Sequence, residues 1–375
     1  MVNVTDKNSN HELMRIISMF FIVLGHVLLF GGFLEQPNTS TGIIYNFIEF
    51  ILIVHVNSYV LACGYYQSKS TFKQSRLWKI INSAWFYRIL ILIIFSLLGI
   101  ISVGKVQILK DIAPISVDNY WFIKTYILLY CISPFLNKLI NNIQKSTYDK
   151  LLLTGFLIFC IVSAISGGEF FHNSGYTLYS FIYLYFVGAY LKEYPLDKNY
   201  FFKIFTKELF QIIMVSLFFL CVLTNFGLYY FSQQIYSINS VLDIISNYIK
   251  TASLAYSNPI IVIQSIIYFS LFSTLTIKSK HINKIAGLML GVYFIHENNY
   301  MRAHLYNWLG LVDCSKESLL NMGYMFLMTI AIFVGCSIIE LIRQKIFKFI
   351  YDRKFATNIR KKYYAWLSKI HLIKV

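Results

Sequence analysis

The sequence predicts an all-α, polytopic membrane protein of about ten transmembrane helices with both termini cytoplasmic. Three observations carry that prediction. Of the 375 residues, 57% are hydrophobic, 18% aromatic and only 13% charged, whereas soluble domains average about a quarter charged. Apolar stretches of roughly 18–24 residues recur from end to end, each long enough for a hydrocarbon core of about 30 Å. The 33 Lys and Arg residues alternate in phase with those stretches: 26 fall in loops on one side, 6 on the other, and Arg15 stands inside the first span. Positive charge collects on the cytoplasmic side of membrane proteins, so the asymmetry predicts orientation as well as span count.

The spans fall at about 13–33, 43–66, 84–103, 120–138, 151–167, 176–191, 208–231, 255–277, 285–301 and 320–342. The first holds Arg15 and His26, eleven positions apart. At about 100° per residue that is three turns plus roughly 20°, so both side chains share one face, about 16 Å apart along the axis. Ionisable groups at the centre of a spanning helix cost roughly 2.5–3.5 kcal/mol each. Arg15 alone reads as a snorkelling side chain with Glu12 as its helical neighbour. His26 lies too deep for that and is either a core histidine bonded to a neighbour or a functional group. A cation at the inner end and an imidazole further in, on one face, make a polar path through lipid.

The second span carries Glu49, His55 and Asn57; the third opens with Tyr87 and Arg88, expected near the inner leaflet. The fourth contains Trp121, Tyr126, Tyr130, Ser133, Pro134 and Asn137. Gly287 and Gly291 in the ninth span make a GxxxG step that admits close helix approach, and this span ends in Tyr293, His296, Glu297 and Asn298. Polar groups entering from several helices favour a shared cavity. Residues 1–343 are expected to form one transmembrane domain. The segment 344–375 interleaves basic and aromatic residues like a helix lying on an anionic inner leaflet.

The net charge of +16 does not point to nucleic acid, because the cations sit in the loops of a membrane protein. The six cysteines show no CxxC or metal-ligand spacing, so neither a disulfide framework nor a metal site is expected. The first apolar run lacks a small-residue cleavage site and is expected to remain as a helix.

Four stretches resemble a known family. The Arg15 to His26 spacing matches the R-x10-H signature of the integral-membrane acyltransferase family 3, whose members O-acylate cell-surface glycans. Val56-Asn57-Ser58-Tyr59 through Cys63-Gly64-Tyr65 is similar to the VN-x-F-x-x-x-SGY segment of its polysaccharide O-acetyltransferase branch, with Tyr59 and Cys63 in place of Phe and Ser. The run from Trp121 through Tyr126, Tyr130 and Ser133-Pro134 to Asn137 resembles that branch's WF-x-x-x-Y-x-x-x-Y-x-x-x-PFLN helix. Gly291 to Asn298 resembles its GVYLIHEN segment.

The resemblance implies an acetyl-coenzyme A donor in the cytosol, no metal, and a hydroxyl of an envelope glycan or lipid-linked oligosaccharide as acceptor, in a bacterial plasma membrane. It implies catalytic roles for His26 and Arg15. Substrate or donor contacts are expected from Asn57, Arg88, Trp121, Tyr126, Tyr293, His296 and Glu297. Chemistry gives these residues work: inner-loop cations attract coenzyme A phosphates. An imidazole can take a hydroxyl proton or attack the thioester itself and carry the acyl group; the sequence leaves both open. The competing class is a transporter or flippase of lipid-linked oligosaccharide or a small solute, which ten helices with buried polar groups would also suit. Carriers often show internal repeats with interrupted spans, and none is visible.

Overall fold

A computed structural model describes residues 9–35, 39–105, 108, 111, 120–166, 174–236, 240–314 and 316–351. Among these the chain is all helical, with no strand. Helix α1 runs Asn10–Phe30, α2 Ser40–Leu52, α3 His55–Gln67 and α4 Gln74–Leu97. Trp121–Asn142 forms α5; α6, Lys145–Ile165, contains a π-helical stretch at Leu157–Val162. Then come α7 Leu178–Glu193, α8 Lys207–Ile235, α9 Ser240–Ser253 and α10 Pro259–Ser273. Short helices α11 Lys280–Ala286, α12 Met289–His296 and α13 Asn299–Trp308 precede the long α14, Leu319–Tyr351.

Among the described residues, six helical stretches are long and apolar enough to cross a membrane: α1, α2 and α3 taken together, α4, α6, α8 and α14. The other four expected spans are not among these six. Helix α5 has 22 residues but carries Lys124 and Lys138, while α7 and α10 have only 16 and 15 residues. The stretch 285–301 is not one helix: α12 ends at His296, and the Asn298 side chain accepts the Tyr300 and Met301 amides to start α13. Of the basic tail, 344–351 continues α14, and 352–375 lies outside the described residues.

Two apolar clusters share α1. One gathers α3, α7, α8 and α10 around Phe181, Tyr185 and Phe269; the other gathers α1, α4, α12 and α14 around Val27, Tyr87 and Phe294. In the first, Gly64 and Gly188 let α3 and α7 touch backbone to backbone, since a Cβ on either would strike a carbonyl of the other helix. The motif residues of α5 secure this packing. Pro134 has no N–H for the Tyr130 carbonyl, which instead accepts from Ser133 Oγ at 2.8 Å. Asn137 donates to the Gln67 carbonyl at 2.9 Å and accepts from Tyr185 at 2.6 Å, joining α5 to α3 and α7.

Candidate active site

Arg15, Met19, Ile22 and His26 follow one another at helical spacing along one face of α1. The first three line a cavity of about 620 Å³ between the two clusters. At the Arg15 end the walls are polar: Glu12, Gln67, Arg76, Lys79, Glu340 and Arg343. Arg15 donates to Glu12 at 2.7 Å, and the Tyr59 hydroxyl donates to the Arg15 carbonyl at 2.6 Å. Arg76 donates to Gln67 Oε1 at 2.8 Å. Arg343 grips both oxygens of Glu340 at 2.7 Å, and the Tyr87 hydroxyl donates to the same carboxylate at 2.5 Å. Gly291 is what admits Glu340 here: a Cβ at 291 would occupy the space of that carboxyl group. The second glycine of the GxxxG step is thus a seat for a side chain of α14, while Gly287 falls between α11 and α12.

Away from Arg15 the lining runs through Ile22, Phe122, Ile123 and Tyr293, with Tyr126 on the wall nearer Arg15. One turn beyond Ile22 stands His26. Its Nδ1 lies 3.2 Å from His296 Nε2 and 3.1 Å from Glu297 Oε2. Arg302 Nη1 is 2.6 Å from the other Glu297 oxygen, and its guanidinium covers the Phe30 ring at 5.1 Å. His296 Nδ1 meets the Val292 carbonyl at 2.6 Å.

These contacts assign the protons. A carbonyl only accepts, so His296 Nδ1 carries the hydrogen and His296 Nε2 is an acceptor. Glu297 Oε2 is an acceptor too. His26 Nδ1 hydrogen-bonds with His296 Nε2, so it must donate, which leaves the lone pair on His26 Nε2; Glu297 Oε2, 3.1 Å away, makes no hydrogen bond among the described residues. The imidazole is held in the tautomer that suits a base or nucleophile at Nε2. Its side chain is 23% exposed, so that atom has room to be met.

A second pair of titratable groups approaches from α2 and α3. A Cβ on Gly25 would stand 3.4 Å from Glu49 Oε2 and 4.0 Å from His55 Nε2. Glu49 Oε2 and His55 Nδ1 are buried without hydrogen bonds among the described residues.

The structure thus brings His26, His296 and Glu297 together, and places Arg15, Tyr126 and Tyr293 on the cavity wall. Three expected site residues lie elsewhere. Asn57 donates to the Tyr256 carbonyl at 3.0 Å, just before α10. Trp121 packs on Tyr176 and Tyr256, ring centroids 4.4 and 6.1 Å away. Arg88 is not near the end where α4 begins: the helix starts at Gln74, which puts Arg88 about 21 Å along it at 1.5 Å per residue. There it is buried, donating to Asp111 with the Tyr300 ring 4.6 Å from its guanidinium. The reason is that α4 extends its polar first turns, Gln74 to Lys79, ahead of the apolar run.

Arg302 was legible only as an outer-loop cation, because nothing local in the sequence links it to His26. His26, His296 and Glu297 also offer ligand atoms within 4.8 Å of one another, a spacing a divalent cation accepts. Arg302 already supplies the positive charge on Glu297.

A family model described as an acyltransferase domain matches residues 8–341. No curated protein and no solved structure is matched.

Proposed function

The chain belongs to the acyltransferase 3 family of membrane enzymes, and from that premise we propose that it O-acetylates a cell-surface or lipid-linked polysaccharide, using acetyl-coenzyme A from the cytosol. The observation that carries the reading is the assigned tautomer of His26: a partly exposed imidazole whose Nδ1 is committed to His296, with Glu297 Oε2 at 3.1 Å, and whose Nε2 is bare, one turn past the end of a cavity. The other end of that cavity carries Arg15, Arg76, Lys79 and Arg343, cations suited to the donor's phosphates. Orientation follows the Lys and Arg asymmetry, with this cationic end and both termini on the cytoplasmic side.

In this reading the thioester arm extends along the α1 face from Arg15 to Ile22. His26 Nε2 takes the proton of an acceptor hydroxyl as its oxygen bonds to the thioester carbon. Glu297, itself held by Arg302, steadies the imidazolium that forms. Collapse of the tetrahedral intermediate breaks the C–S bond, and the thiolate leaves with the proton from His26. No metal enters the scheme. The bare Nε2 would equally attack the carbonyl directly; a burst of free thiol, stoichiometric with enzyme in the absence of glycan, would assign that route instead.

The test is the acetate content of the surface glycan in strains carrying His26→Ala or Arg15→Ala at normal protein levels. Loss of acetate is expected in both, and full acetylation in both sinks the assignment.

A further inference from the structure

Resting on that reading, the geometry points to an oxyanion-binding site for the thioester, built from the N-terminus of α5 and the hydroxyl of Tyr293. The first amide of α5 to bond within the helix is Lys124, on the Tyr120 carbonyl at 3.0 Å. The amides of Trp121, Phe122 and Ile123 precede it and have no acceptor inside the helix. No side chain caps this end. Tyr120, at the cap position, spends its hydroxyl on the Phe294 carbonyl at 3.0 Å, and Asn298 donates to that hydroxyl at 3.1 Å.

A second observation directs this N-terminus to a ligand. Tyr293 is 5% exposed, and its hydroxyl makes no hydrogen bond among the described residues. A buried hydroxyl without a partner is costly to leave unpaired, so an O–H left this way is available to something that enters. It faces the Phe122 amide and lines the cavity beside Phe122 and Ile123. Its ring centroid is 6.2 Å from that of His296, which lies 5.3 Å from that of His26. The Ile123 amide, with no acceptor inside the helix, the positive end of a helix dipole and the Tyr293 O–H, whose oxygen faces the Phe122 amide, therefore meet where the cavity ends, beside His296 and one ring away from His26. Attack on the thioester carbon moves the carbonyl π electrons onto oxygen. That oxygen is received by the Ile123 amide and the Tyr293 hydroxyl, whose own oxygen faces the Phe122 amide, and its charge returns to carbon when the C–S bond breaks.

The test uses the purified full chain in lipid nanodiscs and two probes. S-ethyl coenzyme A has no carbonyl; a trifluoromethyl ketone analogue of acetyl-coenzyme A hydrates to a mimic of the tetrahedral intermediate. In the wild type the ketone should bind at least about 100-fold more tightly than the thioether, and Tyr293→Phe should cut that ratio by about 10- to 100-fold with thioether affinity unchanged. Unchanged thioether binding also shows that the variant is folded. A wild type that binds both probes alike, or a Y293F protein that keeps the full ratio, overturns the oxyanion site and leaves the donor reading standing. A wild type that binds neither probe overturns the donor reading, and this inference with it.

Discussion

Replacing Glu297 by Gln keeps the shape of the site and changes its proton logic. Arg302 sits 2.6 Å from Glu297 Oε1 and can only donate, so the new amide must turn its carbonyl oxygen to Arg302. Its NH2 group then faces His26 Nδ1, where the carboxylate oxygen stood at 3.1 Å. Two donors cannot share that gap, so the new amide opposes the tautomer held by the hydrogen bond to His296 Nε2 and favours the one with its hydrogen on Nε2, the atom that must accept. The charge effect adds to this. With charge centres about 4 Å apart, a carboxylate and an imidazolium attract by roughly 4 kcal/mol at an effective dielectric of 20. His26 and Arg302 are partly open to solvent, at 23% and 34%, which trims the figure to about 3–4 kcal/mol. At 1.36 kcal/mol per decade, kcat should fall by about 10²–10³, with KM for the donor little changed. Thiol release from acetyl-coenzyme A by the purified variant measures it. A further substitution, Arg302→Met, frees the amide to turn and should recover part of the loss. Glu297→Gln activity within threefold of wild type, while His26→Ala is inactive, would refute the tautomer argument.

Three more outcomes follow from the geometry. Removing Arg76 and Lys79 together, by alanine, should raise KM for acetyl-coenzyme A up to about tenfold with kcat held, and the difference should shrink as salt is added; equal KM values at low salt would detach these cations from the donor. Gly291→Ala should cost about 1–3 kcal/mol by overpacking against Glu340, seen as a lower melting temperature, whereas Gly323→Ala, whose Cβ meets nothing within 4 Å, should not destabilise. Chelation with EDTA should leave activity intact, because Arg302 already neutralises Glu297; activity lost and then restored by one divalent metal would show that His26, His296 and Glu297 hold an ion.

The helical class and the key face of α1 were legible because they depend on local quantities: hydropathy over one span and the angle between positions 15 and 26. The pairing of His26 with His296 and Glu297 was not, since it depends on α12 stopping at His296 and packing on α1. A 17-residue reading of 285–301 as one span hid that break, though Asn298, a good N-cap ahead of α13, marks it. Arg88 was misplaced for a related reason. Hydropathy locates the apolar run and not the start of the helix, and α4 begins ten residues before position 84, where that run was expected to begin. The motif residues Asn57 and Asn137 bond the Tyr256 carbonyl ahead of α10 and the Gln67 carbonyl of α3, contacts that a motif match alone does not distinguish from substrate contacts.

The link between α1 and α12 also has a tempo. His26 leaves the ribosome with the first helix, and His296 follows 270 residues later, a gap of roughly 15–50 s at ordinary elongation rates. Through that interval the first helix waits in the membrane with an imidazole that has neither partner. Glu340, the side chain seated against Gly291, is made later still. Damage to α14 should therefore surface as a defect in α1, with the newly made protein handed to membrane quality control before His26 ever finds its proton acceptor.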